Sequence, residues 1–581
     1  MNATLESWEV KAAAKRADTL NKIPAEWRLT ASNVAEAKEQ ANLTGPFIQQ
    51  FLNDDDISII NRDSNQLVDD IRNARLTAVQ VTSAFCKTAA IAHQINNCLH
   101  EIFFDKALER AAWLDSQLSQ TGSTVGPLHG LPISLKDQFH IKNIDTTMGY
   151  IGWIGSNLGG LDGAPTRESQ ITSELLSLGA VLYCKTSVSQ TLQFAHTKNN
   201  LIGQTLNPIN QRLSCGGSSG GEGALQALRG SVIGLGTDIG GSVRIPAAFT
   251  GLFSIKPSAE RLSYRNVANT NPGQNTYRSA VGILSTSLGG LDLLLRADLS
   301  TKPWLRDPAV VPIPFRDHIM RDWELRAHPD GTAASPNGNP SSTRGLKLGV
   351  LWTDGVVQPH PPITRGLHIV VDAMRAAGHR VVDWKPPSNA IGRGLHLAFS
   401  GADGAHDVHN QLNLSGEPLI PELREALKLR EPMNLLEYQD LTLQGLQYEA
   451  EYSDYWNSTA KDDEDGRIVD AVIMPMAPHA GAIPGKYYYV AYTEVLNILN
   501  YSAVTIPVSE ADKNIDKIDV TYQPLNDLDK KNWEAYDPEI YHGGPVGVQL
   551  VARKFEEEKI LAIAKIVMSA LKSSNAHAGA L

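Results

Sequence analysis

Cys215-Gly-Gly-Ser-Ser-Gly-Gly-Glu-Gly-Ala-Leu-Gln-Ala-Leu-Arg-Gly-Ser-Val-Ile-Gly-Leu-Gly-Thr-Asp-Ile-Gly-Gly-Ser-Val-Arg-Ile-Pro246 places three local signals in one stretch. Gly216–Gly221 is a turn-rich run that opens a helix over Ala224–Leu228, Ser231–Gly236 reads as a buried strand, and Thr237–Arg244 is the loop that follows it. Working outward, the turn-rich Gly126–Pro132 leads into Ile133-Ser-Leu-Lys136, whose alternating apolar residues predict a short strand ending in a lysine. A helix over Ser173–Leu178 precedes a second buried strand from Val181, and further strands are expected at Leu346–Leu351, Val472–Met474, Val504–Val508 and Val546–Val551. An amphipathic helix over Glu556–Leu571 closes the pattern. Strands alternating with helices predict an α/β sheet covered on both faces.

At the other end, Leu5, Trp8, Val10 and Ala13 are spaced to form one face of a helix, so residues 1–68 read as a helical arm packed on the main body. Ala78, Val81, Phe85 and Ala89 mark a second helix, and Phe103–Leu118 a third. The Gly-, Ser- and Pro-rich stretch from Asp330 to Thr343 reads as an exposed insertion loop.

The 581 residues are 42% hydrophobic and 20% charged, as in a globular enzyme, and the formal charge of −11 opposes a nucleic-acid partner. Four dispersed cysteines, without CxxC pairs, are expected as free thiols. The polar, acidic start lacks the basic-then-apolar pattern of a signal peptide, and no apolar run approaches the ~20 residues of a membrane span, which points to a cytoplasmic protein. The acids of Lys461–Gly466 lack calcium-loop spacing and read as a solvated turn; no metal or cofactor is implied. His129 and His140 read as loop-structuring residues.

Three chemical readings compete for Gly216–Gly221. A flexible linker would be extended by further Gly/Ser repeats, and a phosphate cradle lacks the Gly-Lys-Ser/Thr ending of a P-loop. The third makes Ser218 the nucleophile of a G-x-S-x-G elbow. That motif needs a strand running into the serine and a later histidine; Asn207–Cys215 is a polar loop with a proline, while His360, His396 and His542 all lie downstream. The elbow reading, an α/β-hydrolase-type esterase, stays open on these grounds.

Lys136, Gly216-Gly-Ser-Ser-Gly-Gly221 and Gly236-Thr-Asp-Ile-Gly-Gly-Ser-Val-Arg-Ile-Pro246 together resemble the amidase signature family, with flanking similarity at Gly126–Asp137 and Pro545–Val551. The resemblance covers about 70–570 and is strongest to fungal acetamidases and general amidases. It implies a single large α/β/α amidase-signature domain with a mixed central sheet, over 69–571, between the arm and a C-terminal tail at 572–581. It also implies hydrolysis of a small aliphatic or aryl amide through an acyl-enzyme. By resemblance Ser242 is the nucleophile, Ser218 the bridging serine on a cis peptide that also touches substrate, and Lys136 the base. The N–H groups of Ile239, Gly240, Gly241 and Ser242 form the oxyanion hole, and Ser219, Asp238 and Arg244 support the loop. Such a base must be a neutral lysine, because an ammonium has no lone pair. Tyr150, Trp153, Leu192 and Phe194 are candidate acyl-pocket residues, the substrate is the small-molecule partner, and a homodimer is allowed. The amidase subunit of a transamidation complex also stays open.

Overall fold

The strand expected at Ser231–Gly236 is Ile233–Asp238, fully buried and central in an 11-stranded sheet. The computed structural model describes residues 7–155, 167–327, 345–461, 463 and 466–578. The stretch Asp330–Thr343 lies outside the described residues. In chain order the strands are β1 (Leu99–Ile102), β2 (Pro132–Lys136), β3 (Val181–Thr186), β4 (Lys198–Asn199), β5 (Gly203–Gln204), β6 (Ile233–Asp238), β7 (Phe253–Lys256) and β8 (Ala280–Ser285). They continue as β9 (Lys347–Val350), β10 (Arg380–Asp383), β11 (Ala471–Pro475), β12 (Ser502–Glu510) and β13 (Pro545–Ala552). β4 and β5 form a separate small ladder; the other strands follow the order β1-β3-β2-β6-β8-β7-β12-β13-β11-β9-β10. The sheet is mixed: β2 is parallel to β3 and β6, whereas β6–β8 and β12–β13 are antiparallel.

Alternation along the strands sends side chains into two cores. Val548 and Leu550 of β13 join Ile560, Leu561 and Ile563 of the helix Glu557–Ala578. Val551 faces the other way, with Val472 and Met474 of β11, into a cluster with Leu395, Tyr448, Trp456 and Val495. Those four stand on the helices Asn389–Ser400, Leu435–Ser458 and Ala491–Ile498. Helices therefore cover both faces of the sheet, as a strand buried on two sides requires. The last helix continues past Leu571 to Ala578.

The N-terminal segment is helical; Trp8 packs on Ala12, Ile151 and Leu201, but Val10 and Ala13 of the expected face are exposed. Trp8–Asn21 buries Ala12, Lys15 and Thr19, and Leu5 lies outside the described residues. An ion pair turns the helix: Lys15 Nζ sits 2.5 Å from Glu101 and 3.2 Å from Asp145, so its stem is buried beneath a matched charge. Ile23, Ala37, Ile48 and Leu67 then run into the main core. In the run Lys461–Gly466, the described acid, Asp463, is not simply solvated: it pairs with Lys347 at 2.7 Å and Arg380 at 2.9 Å, and residues 462, 464 and 465 lie outside the described residues. All four cysteines are buried and free.

Candidate active site

Parallel pairing of β2 and β6, with Leu135 opposite Leu235, carries Lys136 and Thr237–Asp238 to the same end of the sheet. Lys136 is fully buried there, its Nζ 2.8 Å from both Ser218 Oγ and Thr237 Oγ1, and 3.4 Å from the Thr237 carbonyl. Burial pushes the lysine down to about 7, outweighing the Asp238 and Glu222 carboxylates, which favour the ammonium. Glu222 is itself pushed up to about 7 by burial, against hydrogen bonds donated by Ser134 at 2.6 Å and Thr186 at 2.9 Å.

Gly216–Ser219 leads directly into the helix Gly220–Ala227, and the Gly217–Ser218 peptide is cis. A side chain at 217 does not fit: a Cβ would lie 2.6 Å from the Phe194 carbonyl oxygen and 2.7 Å from Ser189 Oγ. No strand runs into Ser218, and the side-chain partner of its hydroxyl is a lysine, so the surroundings an elbow requires are missing. The Ser219 N–H donates to the Ser242 carbonyl at 3.1 Å, which ties the two serine-bearing segments together.

The loop Asp238–Val243 is wound about one carboxylate. Asp238 accepts from the Gly241 N–H at 2.8 Å, the Val243 N–H at 3.0 Å, Arg244 at 2.9 and 3.1 Å, and Asn497 at 2.9 Å. Burial alone would raise its pKa; the adjacent Arg244 guanidinium and these donors hold it well below the carboxylate range. Arg244 also donates to Gln549 at 3.1 Å, Thr493 O at 3.1 Å and Asn497 Oδ1 at 2.6 Å. Gly241 has φ +125°, and a Cβ there would come within 2.4 Å of Thr493 Oγ1. Asp238 and Arg244 therefore act as the loop's frame. Asp238→Asn leaves the buried guanidinium without its counter-charge and is expected to cost about 3–5 kcal/mol in urea unfolding, with activity lost in parallel. An unfolding midpoint unchanged from the parent would show that the charge is dispensable.

Ser242 is half-buried and lines a cavity of about 900 Å³ together with Gly217, Ile239 and Gly240. Leu192 and Phe194 also line it. Tyr150 and Trp153 do not: they pack behind it with Leu412, Leu419 and Leu423, and the Trp153 indole N–H donates to Gln411 at 2.9 Å. They belong to the same apolar cluster as Leu192, with Phe194 packed against it, but do not themselves line the cavity. Gly241 is a second correction, since its N–H is held by Asp238 and stands apart from a cavity-facing donor set. His129 accepts the Val125 N–H at 3.0 Å and braces its loop.

Several residues of the site escaped the sequence reading. Thr237 sits inside a quoted motif and Gln138 one residue past another, and Thr237 Oγ1 donates to Gln138 Oε1 at 2.6 Å. Asn497 and Thr493 come from a helix more than two hundred residues away in sequence, and no local pattern marks them.

The amidase family model matches residues 80–561. The acetamidase of Aspergillus oryzae is 41% identical over 566 residues, covering 97% of this chain and 98% of that one. The acetamidase of Emericella nidulans is 41% identical over 564 residues, with coverage of 97% and 98%. A solved fatty acid amide hydrolase superposes with a TM-score of 0.86 at 30% identity, covering 97% of this chain and 95% of that one. With a family match across most of its length and acetamidase relatives aligned nearly end to end, this chain belongs to the amidase signature family and is an enzyme that hydrolyses amides.

Proposed function

We propose that the chain hydrolyses small aliphatic or aryl carboxylic acid amides to carboxylate and ammonia through an acyl-enzyme, with Ser242 as nucleophile, Ser218 as proton relay and Lys136 as base. The observation that carries this reading is the buried Lys136 amine 2.8 Å from Ser218 Oγ, its pKa lowered to about 7. A neutral amine has two N–H groups and one lone pair. Thr237 Oγ1 spends its own proton on Gln138 and accepts from Lys136, and the Thr237 carbonyl takes the second N–H, so the lone pair is left for the Ser218 hydroxyl.

In this scheme Ser242 Oγ attacks the amide carbon, its proton moves to Ser218, and the Ser218 proton moves to Lys136. Returned along the same path, that proton goes to the nitrogen, the C–N bond breaks and ammonia leaves; water then repeats the sequence to release the carboxylate. With the Gly241 N–H committed to Asp238, the N–H groups of Ile239, Gly240 and Ser242 are assigned to the oxyanion, each worth about 2.7–4 kcal/mol in such sites.

The test is a pH profile of kcat/KM by ammonia release. Below about pH 7 Lys136 is an ammonium and cannot take a proton, so activity is expected to rise through a limb near pH 7 and level off above it. Glu222 titrates in the same range, so the limb belongs to the pair. Glu222→Gln removes a charge that favours the ammonium and moves the limb to lower pH. A limb near pH 10, or one that survives Lys136→Arg, refutes the lysine base.

A further inference from the structure

Two helices that carry none of the proposed catalytic groups bring a second polar cluster to the cavity. Arg393 and His396 stand on Asn389–Ser400 and Glu494 on Ala491–Ile498, and all three line the cavity with Gly240 and Ser242. Arg393 Nη1 lies 3.3 Å from Glu494 Oε2, and His396 Nε2 lies 3.8 Å from Glu494 Oε1. The cluster presses on the Ser242 loop: a Cβ on Gly240 would be 3.1 Å from His396 Cε1 and 3.5 Å from Glu494 Cγ. Thr493, next to Glu494, donates to the Gly240 carbonyl at 2.6 Å and fixes that distance. His396 and Glu494 are only 8% and 6% exposed.

Inside this cluster one donor and one acceptor are left over. His396 Nδ1 is sealed in the protein without a partner, so the ring meets the cavity through Nε2. Burial lowers the imidazole's pKa more than Glu494 raises it, which keeps the ring neutral at pH 7, and the nearby carboxylate favours the tautomer with N–H on Nε2. Arg393 neutralises Glu494 through Oε2, leaving Oε1 toward the imidazole. A hydroxyl both accepts and donates, so it satisfies this pair; a methyl group of the same size leaves both members unpaired. A cavity of about 900 Å³ has room for such a group beside a short amide at Ser242.

We propose that His396 and Glu494 are specificity-determining residues that bind a hydroxyl, or another group that both donates and accepts, on the substrate, so that the enzyme selects hydroxy-substituted amides over their alkyl isosteres. This rests on the reading that the Ser242 loop receives the scissile amide, and does not depend on which serine attacks.

The test compares matched pairs, 2-hydroxypropanamide with 2-methylpropanamide and 3-hydroxybutanamide with 3-methylbutanamide, by initial ammonia release. The parent enzyme is expected to favour the hydroxylated member of at least one pair by about tenfold in kcat/KM, the size of one hydrogen bond to a charged group. In His396→Phe and Glu494→Leu the preference falls to near one, chiefly through the KM of the hydroxy-amide, and His396→Asn or Glu494→Gln restores part of it. Arg393→Met, which loosens the two helices but leaves the donor and acceptor, keeps the preference. A parent preference near one for both pairs, or variants in which both members fall together as in Arg393→Met, assigns the cluster to fastening the helices and overturns the proposal. Should Ser242→Ala remain active, the nucleophile assignment fails while the ratios still report on His396 and Glu494.

Discussion

Ser242→Ala is expected to lose about 10⁵-fold in kcat on any amide substrate, the scale seen when a covalent nucleophile is removed. The loss should come without a loss of fold. The half-buried Ser242 side chain frames the cavity, while its structural contact, the bond accepted from the Ser219 N–H at 3.1 Å, uses the backbone carbonyl and survives the substitution. Stability within about 0.5 kcal/mol of the parent is therefore expected. Ser218→Ala removes the relay and leaves the nucleophile, so it is expected to lose less, about 10²–10⁴-fold. A Ser242→Ala enzyme that keeps its activity while Ser218→Ala is dead would reverse the two roles.

Lys136→Met should lose about 10³–10⁴-fold in kcat/KM, and Lys136→Arg should fare no better, because a guanidinium stays protonated. The same substitution separates function from stability. The folded lysine is held near 7 and the unfolded one near 10.5, so between those values the unfolded chain binds more protons and stability rises with pH. At neutral pH burial of this amine opposes folding, and the methionine variant is relieved of that cost. Denaturant melts from pH 7 to 10 should show the parent gaining on Lys136→Met; parallel curves would mean that the lysine is not held neutral.

How far the sequence could be read follows from where the information sits. β2, β3, β6, β12 and β13 carry runs of apolar residues, and their strands form close to where those runs fall. β1 has no apolar run to mark it, because His100 and Glu101 interrupt it; Glu101 is held in a buried strand by Lys15 at 2.5 Å and Lys22 at 3.9 Å, both from the N-terminal segment. β7 ends in Lys256, whose amine burial and the nearby Arg244 push down to about 7 against the Asp238 and Glu557 carboxylates, groups that come from elsewhere in the chain. The catalytic candidates were legible because Ser218 and Ser242 lie in dense glycine- and serine-rich loops on either side of the apolar run of β6, and Lys136 ends the apolar run of β2. Of the frame around them, Asp238 and Arg244 were legible and the distant contributors were not. Arg244 is neutralised locally by Asp238, but Asn497 and Gln549 complete its shell through tertiary contact alone. The acyl-pocket candidates divided on the same ground, Leu192 and Phe194 lining the cavity and Tyr150 and Trp153 standing behind them in the same apolar cluster.

The most direct measurement is the site of acylation during turnover. Rapid acid quench of the enzyme with a short-chain p-nitrophenyl ester, an activated acyl donor, followed by trypsin and mass spectrometry, separates the two serines, because Ser218 lies in Leu213–Arg229 and Ser242 in Gly230–Arg244. The account predicts the acyl mass on Ser242 in Gly230–Arg244, absent from Ser242→Ala; an acyl group on Ser218 would contradict it.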